Sequence, residues 1–161
     1  MNRPTDFLMN HSLRKIGKIL KRLGGEGVNV VFKIGNMEEY EVDAYFNTVP
    51  TQIGRSVIHI VMDDSIENLR AWNACLTITT LHEYAHYLII LEMSIAEREE
   101  SFRKYGAYSY YRDRDEEATW LLTAKLLKRF GYHRSSAIRN EFKHFKFPKQ
   151  FKVKTILKAW E

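Results

Sequence analysis

The sequence predicts an α+β fold in which a small, mainly antiparallel sheet packs on helices. Three short stretches, Val28 to Ile34, Tyr40 to Asn47 and Val57 to Met62, are rich in β-branched and aromatic residues and are separated by turn-forming sequences, as is typical of strands. The run from Arg55 to Tyr105 contains neither glycine nor proline, which predicts one long helix after the third strand. At 161 residues, the chain is long enough for one domain with a sizeable core.

A first helix is predicted from His11 to Leu23, where apolar residues recur at helical spacing among basic ones, before Gly24-Gly25 ends it. We expect its apolar stripe to dock on the core, and the alternative is a membrane-surface helix. No segment reaches the roughly 18 apolar residues of a membrane span. Because Cys75 is the only cysteine, no internal disulfide is possible, and we expect a cytoplasmic protein.

The long helix carries the pattern H-E-x-x-H at His82 to His86. Two histidines four residues apart lie on one face of a helix, where both can bind one metal ion. Glu83 then lies beside the water that the metal activates, where a carboxylate can accept and return a proton. The pattern is typical of zinc hydrolases. The alternative is a helix whose histidines and glutamate never bind metal.

The sequence around the motif favours the metal-binding hypothesis. Asp64 and Glu67 have the spacing of a capping box, so we expect the helix to start near Ser65 and to carry the motif deep in its interior. Upstream apolar residues lie on the same helical face as the motif, so the motif should point into the core. Buried histidines and carboxylates need partners, and a metal ion provides one.

A catalytic zinc ion needs a third protein ligand and one open position for water. The segment Asp113 to Glu117 brings four carboxylates to the start of a helix predicted to end near Phe130. The metzincin extension of the motif is excluded, because Ile89 and Glu92 stand where that class needs glycine and histidine. A glutamate ligand fits better than the remaining histidines, which are His11, His59, His133 and His144.

The stretch Thr79 to Leu88 with its H-E-x-x-H, followed downstream by Glu116-Glu117-Ala118-Thr119 and the pair Leu126-Leu127, resembles the ImmA/IrrE family of zinc metallopeptidases. The resemblance covers roughly Val57 to Leu127. It implies a zincin-like fold and a gluzincin site that binds Zn²⁺. In that site His82, His86 and Glu117 are the metal ligands, Glu116 is the alternative third ligand, and Glu83 is catalytic.

This chain departs from the family pattern at Thr119, where asparagine is usual, and at Tyr84-Ala85, where Leu-Gly or Leu-Ala is usual. The departures leave the ligands intact but change residues that could orient them. The resemblance also implies an intracellular protease that is selective for a regulatory protein, such as a transcriptional repressor of a phage or mobile element.

A tyrosine-rich segment follows the long helix, and a tyrosine hydroxyl can stabilise the oxyanion of a tetrahedral intermediate. Tyr108, Tyr110 and Tyr111 are therefore possible oxyanion stabilisers, as is His133 further along the chain. Aromatic packing of the loop is the alternative explanation for the tyrosines. For Val57 to Met62, we consider a role as an edge strand that pairs with extended substrate, because this strand leads into the motif helix.

Charge divides the chain into basic ends and an acidic middle: residues 1–33 carry a net +5, residues 34–120 a net −9, and residues 121–161 a net +9. We expect a metallopeptidase-like domain over residues 1–130 and a basic helical extension, residues 131–161, that packs on the same domain. Residues 126–142 have the outline of a helix-turn-helix. The alternative function is therefore a DNA-binding or protein-binding regulator with a structural or vestigial metal site.

Overall fold

The computed structural model describes residues 6–25, 27–35, 44–47, 57–66, 68–94, 96, 97, 100, 113–144, 158 and 160. Four α-helices and one short 3-10 helix lie within these ranges. They are α1 (Asp6–Leu23), α2 (Leu69–Glu92), α3 (Asp113–Arg129), the 3-10 helix (Tyr132–Arg134) and α4 (Ser136–His144). Among the described helices, none combines the length and the apolar character that crossing a membrane requires. The predicted α+β class is confirmed, and helices make up most of the described part.

The end of α1 lies where the sequence predicts it, although the helix begins five residues before the predicted start at His11. Gly24 has a positive φ of 78°, which glycine adopts without steric penalty. Its N–H bonds to the Lys21 carbonyl, and the N–H of Gly25 bonds to the Leu20 carbonyl. This pair of hydrogen bonds is a Schellman motif, which satisfies the last carbonyls of the helix.

The predicted start of the long helix is wrong by four residues. The helix begins at Leu69, because the Asn68 side chain accepts hydrogen bonds from the backbone N–H groups of Arg70 and Ala71 and so caps it. The preceding segment forms a turn instead, in which the Asp63 carboxylate accepts a hydrogen bond from the N–H of Ser65. That turn leads the chain from the third strand into α2.

The described sheet has three strands, β1 (Asn29–Gly35), β2 (Ala44–Asn47) and β3 (Val57–Asp63), in the order β1-β3-β2. β1 pairs with β3 in parallel over the whole length of both strands, and the shorter β2 pairs with β3 in antiparallel. The prediction of a mainly antiparallel sheet is therefore not confirmed. The chain between β1 and β3 is long enough to cross back to the end of the sheet at which β1 begins. The two strands therefore run in the same direction and do not form a hairpin.

The position of β3 also corrects the predicted edge strand. β3 lies in the centre of the sheet, with a described strand on each side, so its backbone is already paired. Its residues Ile58, Ile60 and Met62 are buried against α1 and α2. The edges of the described sheet are β1 and β2.

Helix α2 lies between two hydrophobic clusters. On one side Ala74, Ile78 and Leu81 pack with residues of α3 and α4, including Leu127 and Phe142. On the other side Trp72, Leu76 and Tyr84 pack with the sheet and with α1. The described residues of α4 therefore pack on the same core as α2 and α3, whereas the division of the chain near residue 130 stays a prediction.

Polar contacts fix α1 against α2. The indole N–H of Trp72 donates a hydrogen bond of 2.9 Å to the buried Ser12 hydroxyl, and His11 bonds to the Asn73 side chain at 2.8 Å. At the other end of α1, the Tyr84 hydroxyl donates to the Leu23 carbonyl. The motif helix is thus held along its length.

Replacing Gly25 with alanine should destabilise the protein. An added Cβ would lie 2.5 Å from Cε2 of Tyr84, and the ring cannot move freely because it is buried and its hydroxyl is bonded. We expect Gly25→Ala to lower the free energy of unfolding by about 1–3 kcal/mol, as overpacking does elsewhere. Urea denaturation measures this change. Gly27→Ala is the control, since a Cβ at that position meets no atom within 4 Å. Equal stability of the two variants would contradict the assigned packing.

Candidate metal centre

The H-E-x-x-H motif lies on the side of α2 that faces α3. His82, Glu83 and His86 are all buried, with 6%, 2% and 5% of their surfaces exposed. They occupy a part of α2 that is enclosed on both sides, as Leu81 and Ala85 are fully buried beside them. The prediction that the motif points into the core is confirmed.

The third member of the site is Glu116, in the first turn of α3. Its Oε1 lies 2.7 Å from Nε2 of His82, and its Oε2 lies 3.2 Å from Nε2 of His86. One ligand atom from each of the three residues lies within 4.8 Å of the others, which makes them a group that could hold a metal ion. The Glu116 side chain is 24% exposed, so this carboxylate is partly accessible to solvent.

Two threonines of α3 hold the other ring nitrogens of the histidines. Nδ1 of His82 lies 3.2 Å from the Thr123 hydroxyl, and Nδ1 of His86 lies 3.1 Å from the Thr119 hydroxyl. Both threonines are fully buried. Partners of this kind fix the ring orientation and the tautomer of histidines that bind metals.

The direction of the Thr123 hydrogen bond determines the tautomer of His82. The Thr123 hydroxyl donates its hydrogen to the Thr119 carbonyl at 2.7 Å, so its oxygen can only accept from His82. Nδ1 of His82 therefore carries the hydrogen, and in the neutral ring Nε2 presents a lone pair to the Glu116 carboxylate.

Two acceptors at 2.7 Å repel each other unless a proton or a metal ion lies between them. Two imidazole nitrogens and one carboxylate oxygen are a donor set that zinc takes in catalytic sites, with a fourth position left for water. The residues present therefore fit a bound Zn²⁺ ion.

Glu83 lies next to this group without being part of it. Its Oε2 is a buried oxygen that has no hydrogen-bond partner in the described part of the chain. Burial, together with the nearby Glu116 carboxylate, raises the pKa of Glu83 well above its ordinary value. A buried carboxyl group with an unoccupied oxygen is suited to accept and return a proton.

The pKa values of His86 and Glu116 are each shifted by effects that act in opposite directions. Burial lowers the pKa of His86 to about 4, although its hydrogen bond to Glu116 acts in the other direction. For Glu116, burial alone would raise the pKa, but the neighbouring imidazole rings of His82 and His86 keep it well below the ordinary value. The group therefore favours an ionised Glu116 beside a neutral His86.

The predicted third ligand, Glu117, is corrected to the alternative, Glu116. Consecutive residues of a helix point about 100° apart, so only one of two adjacent glutamates can share a face with the residues three and seven positions further on. Thr119 and Thr123 lie at those positions from Glu116 and contact the two histidines. Glu117 is not in the group that could hold a metal ion.

Of the four residues considered as oxyanion stabilisers, the structure describes only His133. His133 lies in the 3-10 helix beyond the end of α3, whereas Glu116 lies at its beginning, and 13 helical residues separate Glu116 from Arg129 by roughly 20 Å. No contact among the described residues joins His133 to the site, and its role as an oxyanion stabiliser stays a prediction. Tyr108, Tyr110 and Tyr111 lie outside the described residues, and their role stays a prediction.

Three residues contact the histidines of the site, and the sequence motifs do not predict these contacts. Thr119 and Thr123 hold the histidines, and Trp120 stacks on the His82 ring with centroids 3.8 Å apart. A signal for the threonines exists in the sequence: Glu116, Thr119 and Thr123 follow helical spacing, and polar residues on an inward face need a partner. The Trp120 contact depends on how α3 is rotated against α2, which no spacing within one helix reveals.

Comparisons of the chain with family models, with curated proteins and with solved structures found no match. The case for a function therefore depends on the geometry of the site and on the sequence motif.

Replacing Glu116 and Glu117 separately with glutamine tests which of the two is the third metal ligand. We expect Glu116→Gln to lose bound zinc, since the neutral amide removes the charge that both histidines face, and Glu117→Gln to retain about one zinc per chain. Elemental analysis of both proteins after zinc loading and gel filtration measures the content. Loss of zinc from Glu117→Gln alone would return the ligand to the position first predicted.

Removing the Thr123 hydroxyl should weaken zinc binding without removing a ligand. We expect Thr123→Val to bind zinc about 10–100-fold more weakly, because His82 loses the acceptor that fixes its ring. Competition with a chromogenic chelator measures the affinity. Thr77→Val is the matched control, since Thr77 is also buried and also donates to the carbonyl four residues earlier, but it does not contact the site. Equal losses in the two variants would indicate a general effect on folding.

Proposed function

We propose that this protein is a zinc-dependent metallopeptidase of the ImmA/IrrE type with a gluzincin site. The observation that carries the proposal is the convergence of two histidine Nε2 atoms on one carboxylate, with both Nδ1 atoms held by threonines. The third ligand in this proposal is Glu116. A zincin-like arrangement, in which the motif helix packs against a small sheet, belongs to the same proposal.

In this function, His82, His86 and Glu116 hold the zinc ion, which when bound polarises the substrate carbonyl and makes water a better nucleophile. Glu83 accepts a proton from the attacking water and then donates it to the leaving amine. Its buried oxygen without a described partner is available for that transfer. Thr119, Thr123 and Trp120 keep the two imidazole rings in place while the substrate is bound.

The substrate class that we propose is a protein, and a transcriptional repressor in particular. This part of the proposal rests on the resemblance of residues 57–127 to the family, because no feature of the metal site selects a sequence. A tyrosine from 108, 110 or 111 as oxyanion stabiliser also remains part of the proposal.

The alternative, a DNA-binding regulator with a vestigial metal site, has less support. The first helix of the helix-turn-helix outline is α3, which supplies Glu116 and both threonines to the site. In the second helix, α4, Ile138 and Phe142 are buried in the core. Arg134 and Arg139 are exposed, so DNA contact through this region remains the second and less supported proposal for a partner.

The proposed function is tested with zinc-loaded protein and a proteome-derived peptide library, with new N-termini identified by mass spectrometry. We expect wild type to cleave a subset of peptides and Glu83→Gln to cleave them at least about 100-fold more slowly, because the proton acceptor is lost. Glu83→Gln should still bind zinc, since Glu83 is not a ligand. Cleavage by Glu83→Gln at the wild-type rate, or no cleavage by the zinc-loaded wild type, would contradict the proposal.

A further inference from the structure

Gly17 stands in the interior of α1, where helix propensity favours almost any other residue. Packing does not require glycine at this position, since an added Cβ would meet no atom within 4 Å and the residue is exposed. Its φ is not positive, so the backbone does not require glycine either. The remaining effect of Gly17 is to leave space beside the helix.

That space is part of a groove of about 390 Å³ between α1 and β1. The α1 side of the groove is formed by Leu13, Ile16 and Leu20, and the β1 side includes Val28 and Val30. Leu13 is 44% exposed, although it is a large apolar residue. The groove therefore offers apolar surface in a depression that could receive side chains.

The groove runs beside an edge of the sheet. β1 pairs with β3 on one side, and no described strand pairs with its other side. An edge strand presents backbone N–H and C=O groups at alternate residues, and an extended peptide can pair with them. Its alternate side chains would then point into the groove.

The surroundings of the groove are positively charged. Residues 6–35 contain six basic and two acidic residues. Lys21 lines the groove, and Arg14, Lys18 and Lys33 are exposed on the same two elements. Burial and the neighbouring Lys18 lower the pKa of Lys15, as expected where cations are crowded. A ligand with acidic residues would relieve this repulsion.

We propose that the groove between α1 and β1 binds an extended segment of a partner protein, in which apolar residues alternate with acidic ones, as an added strand on β1. The apolar side chains fill the space left by Gly17. The acidic ones alternate to the other face of the added strand, which is the face of β1 on which Lys33 is exposed. The proposal does not depend on the proposed peptidase activity.

The groove and the metal site are on opposite sides of α2. Gly25, which lines the groove, lies against the Tyr84 ring, and Tyr84 points about 160° away from both His82 and His86 around the helix. A segment bound in the groove is therefore held away from the metal site. The groove acts as a docking site for a partner and is separate from the place of any bond cleavage.

The test is fluorescence anisotropy with a labelled nine-residue probe, capped at both ends, in which valine alternates with glutamate. Full-length Glu83→Gln protein is used, so that the probe is not cleaved. We expect saturable binding that weakens with added salt. Gly17→Leu should weaken binding at least tenfold, because its side chain fills the groove, whereas Gly17→Ala should stay within about threefold of the parent protein.

Two further probes separate the contributions to binding. A probe with lysine in place of glutamate should bind at least tenfold more weakly, and a probe with N-methylated valines should also lose binding, since it cannot pair with the β1 backbone. Circular dichroism verifies that both Gly17 variants are folded, as expected for better helix formers. Absence of binding by the glutamate probe, or equal binding by Gly17→Leu, would overturn the proposal. Equal binding of the lysine probe would overturn the assigned charge of the partner.

Discussion

Burial of α2 between two hydrophobic clusters is the constraint on which the rest of the structure depends. Trp72, Leu76 and Tyr84 face the sheet and α1, while Ile78, Leu81 and Ala85 face α3 and α4. A helix enclosed in this way has no solvent to satisfy its polar side chains, and an unpaired buried polar group costs about 1–3 kcal/mol. The histidines of the motif must therefore find their partners in a neighbouring element. That element is α3, which places a carboxylate and two hydroxyl groups against them.

The pairing between α2 and α3 satisfies the Nδ1 atoms and leaves the Nε2 atoms facing a carboxylate. Burial disfavours a charged His86, so a proton on that ring is a costly way to satisfy the Glu116 carboxylate. A divalent cation satisfies the two nitrogens and the carboxylate together. Burial and the Glu116 carboxylate together raise the pKa of Glu83, and a cation would offset the repulsion between the two carboxylates. The same contacts thus explain the perturbed pKa values and the suitability of the site for metal.

Parts of this arrangement follow from local sequence, and other parts depend on packing. The motif on the inward face of a long helix follows from spacing within that helix, as does the end of α1 at Gly24. The choice between Glu116 and Glu117 depends on the rotation of α3 against α2, and spacing within α3 is compatible with either. Strand order also depends on packing. Hydrophobic alternation identifies β1, β2 and β3 as strands, but it does not determine that the third strand lies between the other two. The predicted start of α2 is four residues early because two capping signals compete: Asp64 and Glu67 have the spacing of a capping box, but the Asn68 side chain caps the helix.

The two faces of α2 also separate the candidate metal site from the groove between α1 and β1. His82 and His86 point towards α3, and Tyr84, two positions from each, points towards α1 and contacts the chain at Leu23 and Gly25. A helix is about 10 Å in diameter, so groups on its opposite faces share no direct contact. Exposed residues of the groove between α1 and β1, such as Leu13 and Gly17, can therefore change without contacting the residues of the metal site, whereas Gly25 cannot change freely because it lies against Tyr84. In the proposed function, this separation allows the docking surface to vary while the residues of the candidate metal site stay constant.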